Sequence, residues 1–276
     1  MRLVNASRYF DDVPIRDAYT NAYLFNGQVA AYIDSQVDGT ISRRRTISLA
    51  PNILLPQRRA LKYGGEVWLV GDGIKDHLQS VALRTSYATK KCDNLYTIRT
   101  PGAACLGTGG FTAYGQADYL KSTVNGITES EYSAQYDISF SPSETLVRGY
   151  IVSAGSRYYH IRGIHDLLEG FQVAESDSLE AAAVTAVFTE GGTYNPISDT
   201  YGSTSVSTGG LLMDMSKLYE FRTALDPENH KGDKSLLVAA SAITPRIGQS
   251  VSALGAWRVT KVLPYQDAWY CHLRRA

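Results

Sequence analysis

Short alternating runs of apolar and polar residues dominate this chain. Trp68 and Val70 share one face of an extended segment, as do Tyr159 with Ile161 and Trp257 with Val259. A second set follows each of these: Val81 with Leu83, Phe171 with Val173, and Trp269 with Cys271 and Leu273. Gly71-Asp72-Gly73, Gly163 with His165-Asp166, and Leu263-Pro264 read as the turns between the paired strands. The same order of signals returns about every ninety residues. Ile47-Ser48-Leu49-Ala50-Pro51 recurs as Ile138-Ser139-Phe140-Ser141-Pro142, and Ala242-Ile243-Thr244-Pro245 reads as a shortened third copy. The pattern predicts an all-β protein. It consists of three tandem small antiparallel β-barrel or sandwich units with few or no helices, over 1–90, 91–180 and 181–276.

The front half of each unit is less regular. Tyr96–Thr100 reads as a strand, and Leu106-Gly107-Thr108-Gly109-Gly110-Phe111 as the flexible hairpin tip that follows it. In the third unit Ala186–Thr189 is a strand, Gly191–Pro196 a loop, and the Ser/Thr run Ser203–Thr208 the return. Leu179-Glu180-Ala181-Ala182-Ala183 reads as a helical turn bridging the second and third units. Asp226–Lys234, polar and rich in breakers, reads as an exposed loop.

Charge narrows the partners. With 27 basic and 27 acidic side chains the chain is formally neutral, which argues against a basic nucleic-acid binder. No run of apolar residues is long enough to span a membrane, and the N-terminus lacks the apolar core of a signal peptide. Cys92, Cys105 and Cys271 are too few for a disulfide framework and point to a reducing compartment.

The chemistry-bearing residues do not assemble into a catalytic signature. His77, His160, His165, His230 and His272 show no metal-ligand spacing, and no C-x-x-C occurs. His165-Asp166 are neighbours on a turn. His160 and His272 lie opposite the apolar positions of their strands, which predicts a solvent or interface location. Cys271 alternates with Trp269 and Leu273 and reads as a buried apolar thiol. Gly107-Thr108-Gly109-Gly110 is followed by Phe111 where a phosphate loop needs Lys. No catalytic residue, cofactor or metal site is therefore expected. The basic run Arg43-Arg44-Arg45, with Arg58-Arg59 and Arg274-Arg275, reads as solvated strand ends or as contacts to phosphates or an acidic face.

One resemblance gives these features a context. In the third unit, Gly191-Gly192-Thr193-Tyr194-Asn195-Pro196 is followed by Leu211-Leu212-Met213-Asp214 and Lys231-Gly232-Asp233-Lys234-Ser235-Leu236-Leu237. Ile243-Thr244-Pro245-Arg246-Ile247-Gly248-Gln249 and Trp257–Val262 complete the order. Over about residues 184–275 this resembles the small head-closure proteins (stoppers or head–tail adaptors) of tailed bacteriophages. Such proteins are usually a single unit, and this chain carries three. The resemblance implies a non-enzymatic structural protein of the virion neck, assembled in the bacterial host cytoplasm. It implies a ring, six or twelve copies being the expected numbers. The implied partners are further copies of the chain, a portal or adaptor protein, a tail-side protein and packaged DNA in the channel, with no membrane. Candidate ring or channel contacts are Arg43, Arg44 and Arg45, and the loop residues Asp226, Glu228, Asn229, His230, Lys231 and Lys234. A capsid-decoration or tail structural protein, and a carbohydrate-binding β module, are the alternatives.

Overall fold

The computed structural model describes residues 10–30, 44–49, 55–78, 81–120, 135–167, 170–195, 197, 200–214 and 232–276. The first six strands are β1 (Phe10–Asp17), β2 (Tyr23–Ala30), β3 (Arg44–Leu49), β4 (Ala60–Tyr63), β5 (Glu66–Leu78) and β6 (Val81–Lys91). They close in the order β1-β2-β3-β6-β5-β4, antiparallel throughout. After β7 (Asn94–Arg99) and the short helix α1 (Pro101–Leu106) come β8 (Phe111–Leu120), β9 (Gln135–Phe140), β10 (Ile151–Ala154), β11 (Arg157–Asp166) and β12 (Gln172–Leu179). These form a second closed barrel with the same strand order. A third barrel repeats the order with β13 (Ala181–Asn195), β14 (Thr200–Asp214), β15 (Lys234–Ala239), β16 (Ser250–Ser252), β17 (Ala256–Tyr265) and β18 (Ala268–Arg275). Each barrel therefore contains a Greek key, in which the fourth strand returns to lie beside the first. Closure joins the first strand of each barrel to the fourth over two register pairs in the first barrel and three in each of the others.

The aromatic repeat read from the sequence occupies matching places. Trp68 lies opposite Leu61, Tyr159 opposite Val152, and Trp257 opposite Val251, always in the hairpin of the barrel's fourth and fifth strands. All three rings belong to barrel interiors: Trp68 packs with Ile15, Ile47 and Val70, Tyr159 with Ile98 and Phe140, Trp257 with Phe188 and Leu236. Burying a side chain of this size is worth about 1.5–3 kcal/mol, so these rings anchor each core.

Several local readings are corrected. The stretches taken as turns at Gly71–Gly73, Gly163 and Leu263-Pro264 lie inside the long fifth strands β5, β11 and β17. Gly163 and Gly73 mark bulges, with register shifts between Ile161 and Gly163 and between Val70 and Gly73. β17 carries its own shift between Val259 and Lys261. A strand wrapping a six-stranded barrel must bend sharply, and the extra residue of a bulge supplies the bend. Ala181–Ala183 are strand rather than a helical turn, because they pair in register with Met213, Leu212 and Leu211. Three alanines cannot nucleate a helix against that ladder. Ala242–Pro245 lie in the irregular segment after β15 and are not the strand equivalent to β3 and β9. That strand is β15, whose alternation is hidden because both faces are buried. Leu236 and Val238 point into the barrel, while Leu237 and Ala239 pack against the second barrel. The presumed loop at Gly191–Asn195 is strand, while the Ser/Thr run Ser203–Thr208 is the returning strand the sequence predicts.

Candidate functional site: the seams between barrels

Two seams join the barrels, and the polar side chains with the most defined geometry lie there. In the first seam the turn after β1 presents Tyr19, and the segment before β4 presents Arg58. The guanidinium lies 3.8 Å from the centre of the Tyr19 ring and donates from Nε to Oε1 of Glu144 at 2.9 Å. Tyr19 donates its hydroxyl to the same oxygen at 3.3 Å and accepts from the Tyr114 backbone N–H at 3.1 Å. Arg58 also donates to the Thr112 carbonyl. Burial pushes the Tyr19 hydroxyl up to about 12, with the Glu144 charge adding to the effect, so it stays a donor across the physiological range. Glu144 is 5% exposed, so a buried carboxylate of the second barrel is held by donors from the first.

Around this contact, Arg59 donates its backbone N–H to Ser141 Oγ at 3.2 Å and its Nη1 to Asp72 at 2.7 Å. Lys90, on the outer face of the first barrel, donates to Ser139 of the second at 2.8 Å and lies 5.1 Å from the Phe171 ring centre. Phe171, fully buried, packs with Ala18, Ala60 and Leu69. The Arg58-Arg59 pair, read as a solvated or phosphate-facing patch, thus spends its charges on this chain's own acids. A shallow cleft of about 340 Å³ opens beside Arg58 and Glu144.

The second seam is built on α1, which the sequence does not predict between the strand at Tyr96–Thr100 and the glycine-rich stretch that opens at Leu106. Thr100 caps the helix by accepting from the Ala103 N–H at 3.3 Å, and Gly107 ends it in the left-handed conformation at φ 68°. Asp267, from the β17–β18 turn of the third barrel, accepts from the Gly102 N–H at 2.8 Å and from the Thr100 hydroxyl. Helix and barrel meet closely enough that a Cβ on Gly209 would collide with the Cys105 carbonyl. Ala104, Cys105, Ile151 and Leu179 share one buried cluster with Leu211, Leu237, Tyr265 and Tyr270. His160, fully buried, is hydrogen-bonded through Nε2 to the Tyr265 hydroxyl. Its outward-facing place on β11 is therefore an interface inside the molecule and not solvent.

A third polar group lies in the wall of the third barrel. His272 places Nε2 3.3 Å from Asp233 Oδ2, and its Nδ1 is 2.5 Å from Thr260 Oγ1. Arg274 Nε is 3.6 Å from the same carboxylate. The hydroxyl–imidazole–carboxylate order invites a nucleophilic reading. Yet Thr260 does not line the adjoining cleft of about 630 Å³, which is walled by Asp233, Leu254, Trp257, Arg274 and Arg275. A substrate held there would not meet the hydroxyl, and the group acts as a lock on Asp233. Burial pushes His272 below the usual imidazole value, outweighing the opposing pull of Asp233. The unfolded chain therefore takes up this proton at higher pH than the folded one. The stability linked to His272 is complete above its ordinary value of 6.5 and is lost as pH falls through the lowered folded value. Urea unfolding at about pH 7 and about pH 5 checks this: His272→Gln is expected to lose less stability over that interval than the unsubstituted chain. An equal loss in both would assign the pH dependence to other groups.

The sequence-predicted contacts are distributed as follows. Arg44 and Arg45 lie on β3, opposite Lys90 and Thr89, and Arg43, Asp226, Glu228, Asn229, His230 and Lys231 lie outside the described residues. Lys234 opens β15 and pairs with Asp214 across the ladder. Asp233, expected in an exposed loop, is buried. His165 finds its acid across the sheet in Glu175 at 3.5 Å, not in its neighbour Asp166. Asp118, Asp137 and Glu175 stand in register on β8, β9 and β12. Burial raises the Asp137 carboxyl, His165 opposes this, and the two flanking acids add to the rise. Among the described residues no group of His, Cys, Asp and Glu is placed to hold a metal ion. Burial pushes the Cys105 and Cys271 thiols up to about 12, and Cys271 sits in the third core. No protein-family model, no curated protein and no solved structure matches this chain.

Proposed function

We propose that this chain is a structural protein of a tailed-phage neck, forming a ring that joins the portal and capsid to the tail and helps retain packaged DNA. The observation that carries the reading is the tandem itself: three closed barrels of one strand order, coupled through seams that bury Glu144, Lys90 and His160. A connector transmits load between capsid and tail, and seams with buried, oriented hydrogen bonds resist shear better than flexible linkers between independent domains. Large side chains remain exposed, among them Tyr23, Tyr119, Ile247 and Leu254, and supply contact surface for neighbours. Arg43, Arg44 and Arg45, with Asp226, Glu228, Asn229, His230, Lys231 and Lys234, are the proposed channel or neighbour contacts. Ring closure requires two different lateral patches on each copy.

Electron microscopy of the purified protein, with immunogold labelling of virions, tests this. Rings of about six or twelve copies and label at the head–tail junction are the expected results. A protein absent from purified virions would overturn the reading.

A further inference from the structure

The third barrel departs from the other two in one respect. Its first two strands run on past the barrel wall. β16 covers β13 only at Val187–Thr189, and β15 covers β14 only from Gly210 to Asp214. Beyond those contacts β13 and β14 continue together, Glu190 opposite Thr204 and Gly191 opposite Ser203, up to Asn195 opposite Thr200. Arg246 fixes the base of this ribbon by donating to Glu190 at 2.9 Å.

Every residue from Gly202 to Ser207 is exposed, so both faces of the ribbon at β14 meet solvent. Among the described residues no strand pairs with the outer edge of that stretch. From Thr204 outward the sheet is two-stranded, which is marginal in water, while over Ser205–Ser207 β16 lies on the far side of β13; along the whole stretch the open edge of β14 presents a row of unpaired backbone donors and acceptors. Natural edges are guarded by charge, proline or bulges. Gly202-Ser203-Thr204-Ser205-Val206-Ser207 has none of the first two, and its pairing with β13 is regular over Ser203–Ser207.

We propose that the β14 edge over Gly202–Ser207 pairs antiparallel, across a two-fold axis, with the same edge of a second copy of this chain. The lack of charge selects this occupant. Two-fold pairing sets a segment against itself, so any charged side chain in it would face its own kind at close range. This stretch is neutral throughout, and Thr204 and Val206 offer β-favouring side chains on one face. The contact is isologous and so differs from the lateral contacts of a cyclic ring. It does not rest on the neck reading.

Single cysteines placed in turn at Ser203, Thr204, Ser205, Val206 and Ser207 of the full chain, followed by mild oxidation and a non-reducing gel, test the pairing. In a two-fold antiparallel pair one residue faces itself at the axis, within reach of a disulfide, while residues two positions away are too distant. The expected result is a cross-linked dimer at one position, about tenfold above the positions two residues to either side. Val206→Lys is expected to lower the cross-linked fraction, and an equimolar mixture with Val206→Glu to restore it. Five positions that cross-link equally or not at all would overturn the proposal. So would a Val206→Lys chain that cross-links as well as its parent.

Discussion

Replacing Glu144 with alanine is expected to destabilise the protein by about 1–3 kcal/mol, the cost of leaving its donors without an acceptor, held down because the Arg58 guanidinium is 38% exposed and can be hydrated. The carboxylate is 5% exposed and accepts from Arg58 at 2.9 Å and from Tyr19 at 3.3 Å. Its loss strands the Tyr19 hydroxyl, which burial keeps protonated, and leaves a guanidinium without its counter-charge. Arg58→Ala should cost more, about 3–5 kcal/mol, because it leaves the Glu144 carboxylate, 5% exposed, without its counter-charge. Urea unfolding of the two single variants and the double variant measures the coupling between them. A midpoint unchanged by Glu144→Ala would show that the first seam is held by Phe171 and its apolar neighbours alone. The first barrel should also respond most. Its closure rests on two pairs, Arg16 with Lys62 and Asp17 with Leu61, so support from the seam matters more there than elsewhere.

Trp257→Ala is expected to cost about 3–5 kcal/mol, through an unfilled cavity in the third barrel. The ring packs among Phe188, Leu236 and Val259 and donates its Nε1–H to the Ala253 carbonyl at 2.9 Å. Truncation removes the packing and leaves that carbonyl without its donor. Thermal unfolding of the variant is the measurement, and an unchanged midpoint would contradict the assigned place of Trp257 in the core. Since α1 and Leu179 of the second barrel pack on the third, loss of the third core should also expose the buried cluster around Leu211 and Leu237.

The candidate site was far less legible than the fold. Arg58 and Arg59 stood out as charges, but spacing alone did not give their partners: Glu144 lies 86 residues on in another barrel, and Asp72, 13 residues on, is brought back only by the β4–β5 hairpin. Asp267 reads in sequence as an ordinary turn acid, and nothing marks it as the acceptor for a helix in another barrel. His160 alternates as an outward residue, and outward is correct. What the alternation could not tell is that the outside of β11 is covered by Tyr265.

Period-two alternation and the recurrence of Ile47–Pro51 at Ile138–Pro142 were enough to determine an all-β tandem, because one buried face per strand imposes that period wherever the other face is wet. The matching aromatic positions Trp68, Tyr159 and Trp257 followed from the same rule. Tertiary structure alone decided where alternation fails. β15 is apolar on both faces because it is covered on both, so its period vanishes and Ala242–Pro245 carries the clearer strand signal. The bulges of β5 and β11 read as turns because Gly serves a bend inside a strand as well as one between strands. Ala181–Ala183 became strand because pairing with β14 outweighs a helix preference of a few tenths of a kcal/mol per residue, about the scale of local propensity. Strand closure and seam pairing join residues far apart in the chain, and no local pattern encodes which of them will meet.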